Sequence, residues 1–166
     1  MSGVHPEPSG RTMAEPRWLT ANQQHAWRAY MDGHLRLMTA LNRQLQRDSE
    51  LSLPEYRILV LLSEAPDRSL RMSELADGVL SSRSRLTHQI RRLEAQRMVR
   101  RNTCLEDGRG VVAELTDEGM ARLKAAAPGH VAEVHRDFID LLTPAQLAVI
   151  TEVFARVDAE LARRAC

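Results

Sequence analysis

The segment "SSRSRLTHQIRRLEAQRMVRR", residues 81–101, constrains the fold more than any other part of this chain. At about 100° per residue, Leu86, Ile90 and Leu93 fall on one edge of a helix, and no other large apolar side chain joins them before Met98. A helix with so narrow an apolar edge cannot stand alone; it must lie on a core built by other segments and turn its remaining surface outward. That surface is charged. Seven arginines less one glutamate, Glu94, give this stretch +6, and a chain of net charge +1 is then −5 everywhere else.

The flanking residues say how the helix is framed. Ser82 has the short hydroxyl that accepts from free amides at a helix start. Ahead of it, "SELADGV" reads as a brief helix capped by Ser73 and weakened at its end by Gly78, and "SLRM" at 69–72 as one small strand. Helix, short turn, helix is the helix-turn-helix layout. On the second helix Ser84, His88 and Arg91 lie opposite the apolar edge, with Arg85, Thr87 and Arg92 flanking them and Arg83 in the first turn. Hydrogen-bonding side chains bordered by guanidinium groups suit the DNA major groove, where base edges offer donors and acceptors and arginine binds guanine bidentately. Phosphates on either side reward the flanking charge, and Ser82 and Ser84 near the helix start can donate to them. Charged helix faces usually just meet solvent, but this one is nearly all of one sign and lacks balancing acids one turn away.

Beyond the helix, "MVRRNTCLEDGRGVVAELT" reads as a hairpin with strands at 99–102 and 111–115 and a turn around Gly108 and Gly110. Arg109 at the tip is placed to enter a minor groove, where negative potential favours arginine. Asp107 repels phosphate unless paired, so a structural role holding Arg109 or a neighbouring arginine is expected.

The combined pattern resembles the MarR family of winged helix-turn-helix transcription regulators over about residues 20–160. "LRMSELADGVLSSRSRLTHQIRRLEAQRMVRR" lies along that family's helix-turn-helix, and Asp107, Arg109, Leu115, Thr116 and Gly119 occupy its wing signature. The resemblance implies a mainly α fold with a small β wing, in which a winged helix-turn-helix lobe is joined to N- and C-terminal dimerisation helices. It implies a homodimer on a palindromic operator, often released by a small effector. One departure stands out: Arg97 occupies the place after the recognition helix where the family usually has glycine; either it accepts positive φ at a cost of about 1 kcal/mol or the helix ends differently.

The two ends fit that organisation. "MSGVHPEPSGRTMAEP", residues 1–16, reads as a loose tail, and residues 17–166 as a single domain with 17–48 and 117–166 as dimerisation helices and 52–116 as the winged lobe. "TANQ" starts the first long helix with Thr20 as cap, "SLPE" the next with Ser52 as cap and Glu55 reaching back, and "TPAQ" the last with Thr143 as cap. Thr116 caps the helix before it, which Pro128 interrupts or restarts. Leu147, Ile150, Phe154, Val157 and Leu161 recur at three-and-four spacing, an apolar seam for either an internal core or a twofold interface.

Trp27, Tyr30, Met31, His34 and Met38 share the first helix's stripe and are candidates to line an effector pocket, although ordinary packing uses the same residue types. By resemblance the ligand would be a small aromatic or anionic molecule. No cofactor or metal is implied: His130, Glu133 and His135 do not share a helical face. Cys104 and Cys166 are far apart, form no CxxC pair and read as inert thiols, which suits a cytoplasmic compartment. No apolar run approaches a membrane span. An enzyme is disfavoured, because Ser84 and His88 have no orienting acid. A winged helix serving as a protein-interaction module, its basic face meeting an acidic partner, is the alternative; discrimination between specific and random duplexes separates the two.

Overall fold

The computed structural model describes residues 16–103 and 110–165. Asp107, Arg109, Cys104 and Cys166, and the turn around Gly108, lie outside the described residues. Six helices are present among them: α1 (Ala21–Ser49), α2 (Leu53–Glu64), α3 (Met72–Gly78), α4 (Arg83–Ala95), α5 (Asp117–Asp137) and α6 (Pro144–Ala165). Three strands, β1 (Ser69–Arg71), β2 (Val99–Thr103) and β3 (Val111–Leu115), form an antiparallel sheet in the order β1-β3-β2. Register pairs Val99 with Leu115 and Leu70 with Ala113. The described residues separate into two compact units, one ending at His34 and the other beginning at Leu35, with α1 crossing the boundary.

Local chemistry fixes most of the helix starts. Thr20 and Gln23 bond reciprocally, as do Thr143 and Gln146. Ser52 Oγ accepts from the Glu55 amide while the Glu55 carboxylate accepts from the Ser52 amide at 2.8 Å. Two expectations need correction. Helix α3 begins at Met72, not after Ser73, because Glu74 reaches back to accept the Arg71 amide at 3.1 Å and draws the first turn one residue earlier. Pro128 does not interrupt its helix: α5 runs straight through it. A proline inside a helix orphans the carbonyl four residues back, here that of Lys124; both residues are exposed, so water can take its place.

The core of the second unit draws on α1 through Leu45, α2 through Ile58, Leu59 and Leu62, α3 through Leu75, α4 through Leu86, Ile90 and Leu93, the sheet through Val99, Ala113 and Leu115, and α5 through Leu123 and Ala126. Helix α6 contributes none of these residues, and its Val149, Val153, Phe154, Val157 and Leu161 are exposed.

Helix α4 ends with Arg97 at φ 58°. The Arg97 amide bonds Glu94 O and the Met98 amide bonds Leu93 O, each at 2.9 Å. This is the glycine-type C-terminal motif built with arginine, completed by apolar contact between the buried Leu93 and Met98. Replacing Arg97 with glycine removes the left-handed strain and only a long, exposed ion pair to Glu118 at 3.6 Å. We expect about 1 kcal/mol of added stability, read as a rise of ~2–4 °C in Tm.

The start of α5 is joined to this same turn. Thr116 Oγ accepts from the Gly119 amide at 3.0 Å and donates to Arg97 O at 2.7 Å, while the Thr116 amide bonds Met98 O. A Cβ on Gly119 would stand 2.1 Å from Met98 O, and backbone cannot step aside as a side-chain tip can. That explains glycine at this point of the wing signature. Gly119→Ala should cost about 3 kcal/mol of stability, measurable as a lower urea midpoint.

Candidate nucleic-acid interface

Helix α4 is seated by Leu86, Ile90 and Leu93, each at most 1% exposed. Directly opposite, Ser84, His88 and Arg91 are exposed, as are Arg83, Arg85 and Arg92; Thr87 is half-buried and its hydroxyl donates to Arg83 O at 2.8 Å. Ser82 caps the helix, its Oγ accepting the Arg85 amide at 3.3 Å. The outward face expected from the sequence is therefore present. In the turn before it, Leu80 adopts φ 51° and the Ser81 amide returns to Ala76 O, which fixes the exit of α3 and the entry of α4. Arg57 of α2 donates to Gly78 O and holds the end of α3.

The seven arginines of this region divide into two groups. Arg92 Nε lies 3.1 Å from Glu55 Oε1, Arg101 lies 2.6 Å from Glu94, Arg100 pairs with Glu114, and Arg97 reaches Glu118. The hydrogen bond from Arg100 holds the Glu114 carboxyl below its ordinary range, and Asn102 adds a second donor to it. Arg83, Arg85 and Arg91 have no ion pair among the described residues, and all three are on α4. Sequence spacing placed the charge but not its partners, since Glu55 and Glu114 come from distant parts of the chain. Arg83, Thr87, Ser73 and Arg101 border an open cleft between α4 and the wing strands.

On α1, Trp27, Tyr30 and His34 form a ladder of rings, with centroids 5.8 Å and 5.7 Å apart, while Met31 and Met38 are half-buried. Further along the fold, a second aromatic contact joins α5 to α2. His130 of α5 packs on Tyr56 of α2 with ring centroids 4.5 Å apart, and its Nδ1 is buried without a partner among the described residues. Burial pushes the imidazole below its ordinary pKa, partly opposed by Glu133. His135 instead meets Asp140 and Glu133 meets Arg136, so His130, Glu133 and His135 have different partners. No cluster of three or more potential metal-binding side chains occurs among the described residues. No single helix among them is long and apolar enough to cross a membrane.

Because the fold favours neutral His130, the unfolded chain takes up its proton first as the solution is acidified. Stability from this site is present above about pH 6.5 and falls as pH drops through the lowered folded value. His130→Phe should flatten the decline in urea midpoint between about pH 7 and 5.

A short helix, a tight turn, a buried-seat helix with outward polar and cationic residues, and an antiparallel wing define a winged helix-turn-helix protein. The comparisons carry this further. A sequence profile of the MarR family matches residues 51–111. Sco3205 of Streptomyces coelicolor, a MarR family transcriptional regulator solved in complex with DNA, is 47% identical over 89% of this chain and 92% of its own, with a TM-score of 0.84. AbsC, a MarR family transcriptional regulator from the same organism, is 41% identical over 89% of this chain and 99% of its own, also with a TM-score of 0.84. The transcriptional repressor YetL of Bacillus subtilis is 36% identical over 84 residues, which span half of each chain. This chain belongs to the MarR family of transcriptional regulators, which are DNA-binding proteins and not enzymes.

Proposed function

We propose that this protein is a homodimeric repressor that reads a palindromic operator through α4 and is released by a small aromatic or anionic effector. The observation that carries the reading is the outward face of α4. Arg83, Arg85 and Arg91 stand free of ion pairs among the described residues, beside exposed Ser84 and His88, over a fully buried apolar seat. The DNA complex of Sco3205 and the repressor name of YetL support the direction of the reading. Residues 52–116 serve as the DNA-binding lobe, with Arg109 at the wing tip entering the minor groove and Asp107 orienting it.

Dimerisation through residues 17–48 and 117–166 is supported by apolar side chains exposed on both terminal helices, among them Trp27, Leu35, Val153, Val157 and Leu161. A twofold pair sets recognition helices about 34 Å apart, one DNA turn. The ring ladder of Trp27, Tyr30 and His34, with Met31 and Met38 beside it, is the effector surface we favour, since flat rings offer stacking to an aromatic acid.

Selection of bound duplexes from a random library by the purified protein tests the reading. Enrichment of an inverted repeat with half-sites about 10 base pairs apart is the expected result. Recovery of no sequence preference would remove base reading and leave a basic protein-contact surface.

A further inference from the structure

The four ion-paired arginines raise a question that DNA affinity does not answer. Two of the pairs hold α4 itself, and they approach it from opposite sides. Counting from Ser84 at about 100° per residue, Arg92 lies ~80° round the helix in one direction and Glu94 ~80° in the other. Between them in sequence is Leu93, fully buried at the back. On the first flank the buried carboxylate of Glu55, on α2, takes Arg92 Nε at 3.1 Å. Its other oxygen is held by the Ser52 amide and hydroxyl at 2.8 and 2.7 Å, so the carboxylate cannot turn. The next residue, Leu53, donates its amide to Asn42 of α1 at 2.9 Å, which anchors the cap in turn. On the second flank Arg101 of β2 reaches Glu94 at 2.6 Å, with both side chains at least two-thirds covered.

We infer that Glu55–Arg92 and Glu94–Arg101 form a two-sided ionic clamp that sets the roll of the recognition helix about its own axis, so that these four are positioning residues and not DNA contacts. The inference rests on the reading of α4 as the recognition helix. An apolar seat of three side chains resists withdrawal of a helix better than its rotation, because dispersion contacts have no direction. A roll of 20° sweeps a side chain at a radius of about 5.5 Å through ~2 Å, several times the tolerance of a hydrogen bond. Two charge-assisted pairs on opposite flanks oppose roll in both senses. The clamp also explains why one flank is tied to α2 and the other to the wing: each neighbour of α4 holds one side.

The test uses neutral pairs, Glu55→Gln with Arg92→Gln, and Glu94→Gln with Arg101→Gln, in the full chain; the glutamate replacements are isosteric. Affinity is measured for the selected operator and for a random duplex across a salt series. The clamp predicts that each pair lowers operator affinity about tenfold, changes random-duplex affinity less than about twofold, and leaves the salt slope unchanged. Each single substitution in a pair should do most of what the double does. Equal losses on both duplexes, with the slope falling by about one for Arg92→Gln or Arg101→Gln, would make them phosphate contacts and overturn the inference. The partly exposed Glu94–Arg101 pair keeps the test decisive if neutralising the buried Glu55 unfolds the chain. Amide resonances of Ser84, His88 and Arg91 give a readout without DNA. They should shift in either neutral pair; no shift would sink the clamp even where operator binding is normal, whereas a wild-type protein with no sequence preference would sink the DNA reading alone.

Discussion

A variant carrying aspartate at both Val153 and Val157 should be monomeric at micromolar concentration and should lose operator binding by at least about a thousandfold. Both side chains are 45% exposed on α6, and Phe154, Leu161 and Val149 beside them are also uncovered. A 22-residue helix has too little intrinsic stability in water to remain folded without a packed face. Five large apolar groups left in water forgo about 25 cal/mol for each Å² a partner would cover. A second copy of the same helix supplies matching apolar surface by symmetry, and stable homodimers bury about 1,600 Å² or more in this way. Two carboxylates on each copy would meet across a twofold axis as unpaired charges withdrawn from water, at a cost of several kcal/mol each. Operator affinity falls with the dimer, because the two half-sites are then bound independently. Sedimentation equilibrium and operator titration on the same sample check both parts. A wild-type protein that sediments as a monomer, or a double variant that remains dimeric, would refute the interface.

What local sequence could determine, it did. The caps at Thr20, Ser52, Ser82, Thr116 and Thr143 need only residues within one turn, and the seat of α4 follows from the spacing of Leu86, Ile90 and Leu93 alone. At Arg97 the sequence left open whether the residue bears the left-handed strain or the helix ends differently, and the structure shows that it bears the strain. Failures came where a distant or competing partner decided. Ser73 is a good cap in isolation, yet Glu74 bonding Arg71 won the helix start. Pro128 breaks helices when its orphaned carbonyl is buried, and here both lie at the surface. Glu55 looked like half of a capping box and is also the partner of Arg92, which lies on another helix. Seven arginines counted as one basic patch become three without an ion pair among the described residues and four paired groups only when tertiary contacts assign the acids. Whether the α6 stripe was core or interface could not follow from its period, which is the same in both cases; its absence from the buried cluster decides against an internal core.

The double variant Arg85→Ala with Arg91→Ala should lose operator affinity by about 2–6 kcal/mol while its affinity for random DNA falls far less, since a bidentate arginine contributes about 1–3 kcal/mol of discrimination at its base. Freedom from ion pairs separates these two from Arg92, and Arg83 differs in bordering the wing cleft. Arg91 lies within about 20° of the outward direction marked by Ser84, and Arg85 about 100° round in the first turn, the part of a recognition helix that enters the groove deepest. Neither has an ion pair among the described residues, so binding to DNA would break no such pair. Truncating them leaves Leu86, Ile90 and Leu93 untouched, and Tm should move by less than about 2 °C. Arg83 borders the cleft towards the wing instead. Its replacement by alanine should weaken operator and random duplex alike and lower the salt slope by about one, the signature of a phosphate contact. Binding isotherms at three salt concentrations resolve the two behaviours. If Arg85 and Arg91 variants behave as Arg83 does, the helix lies in the groove by charge alone, and sequence must be read by Ser84, His88 or the deformability of the DNA.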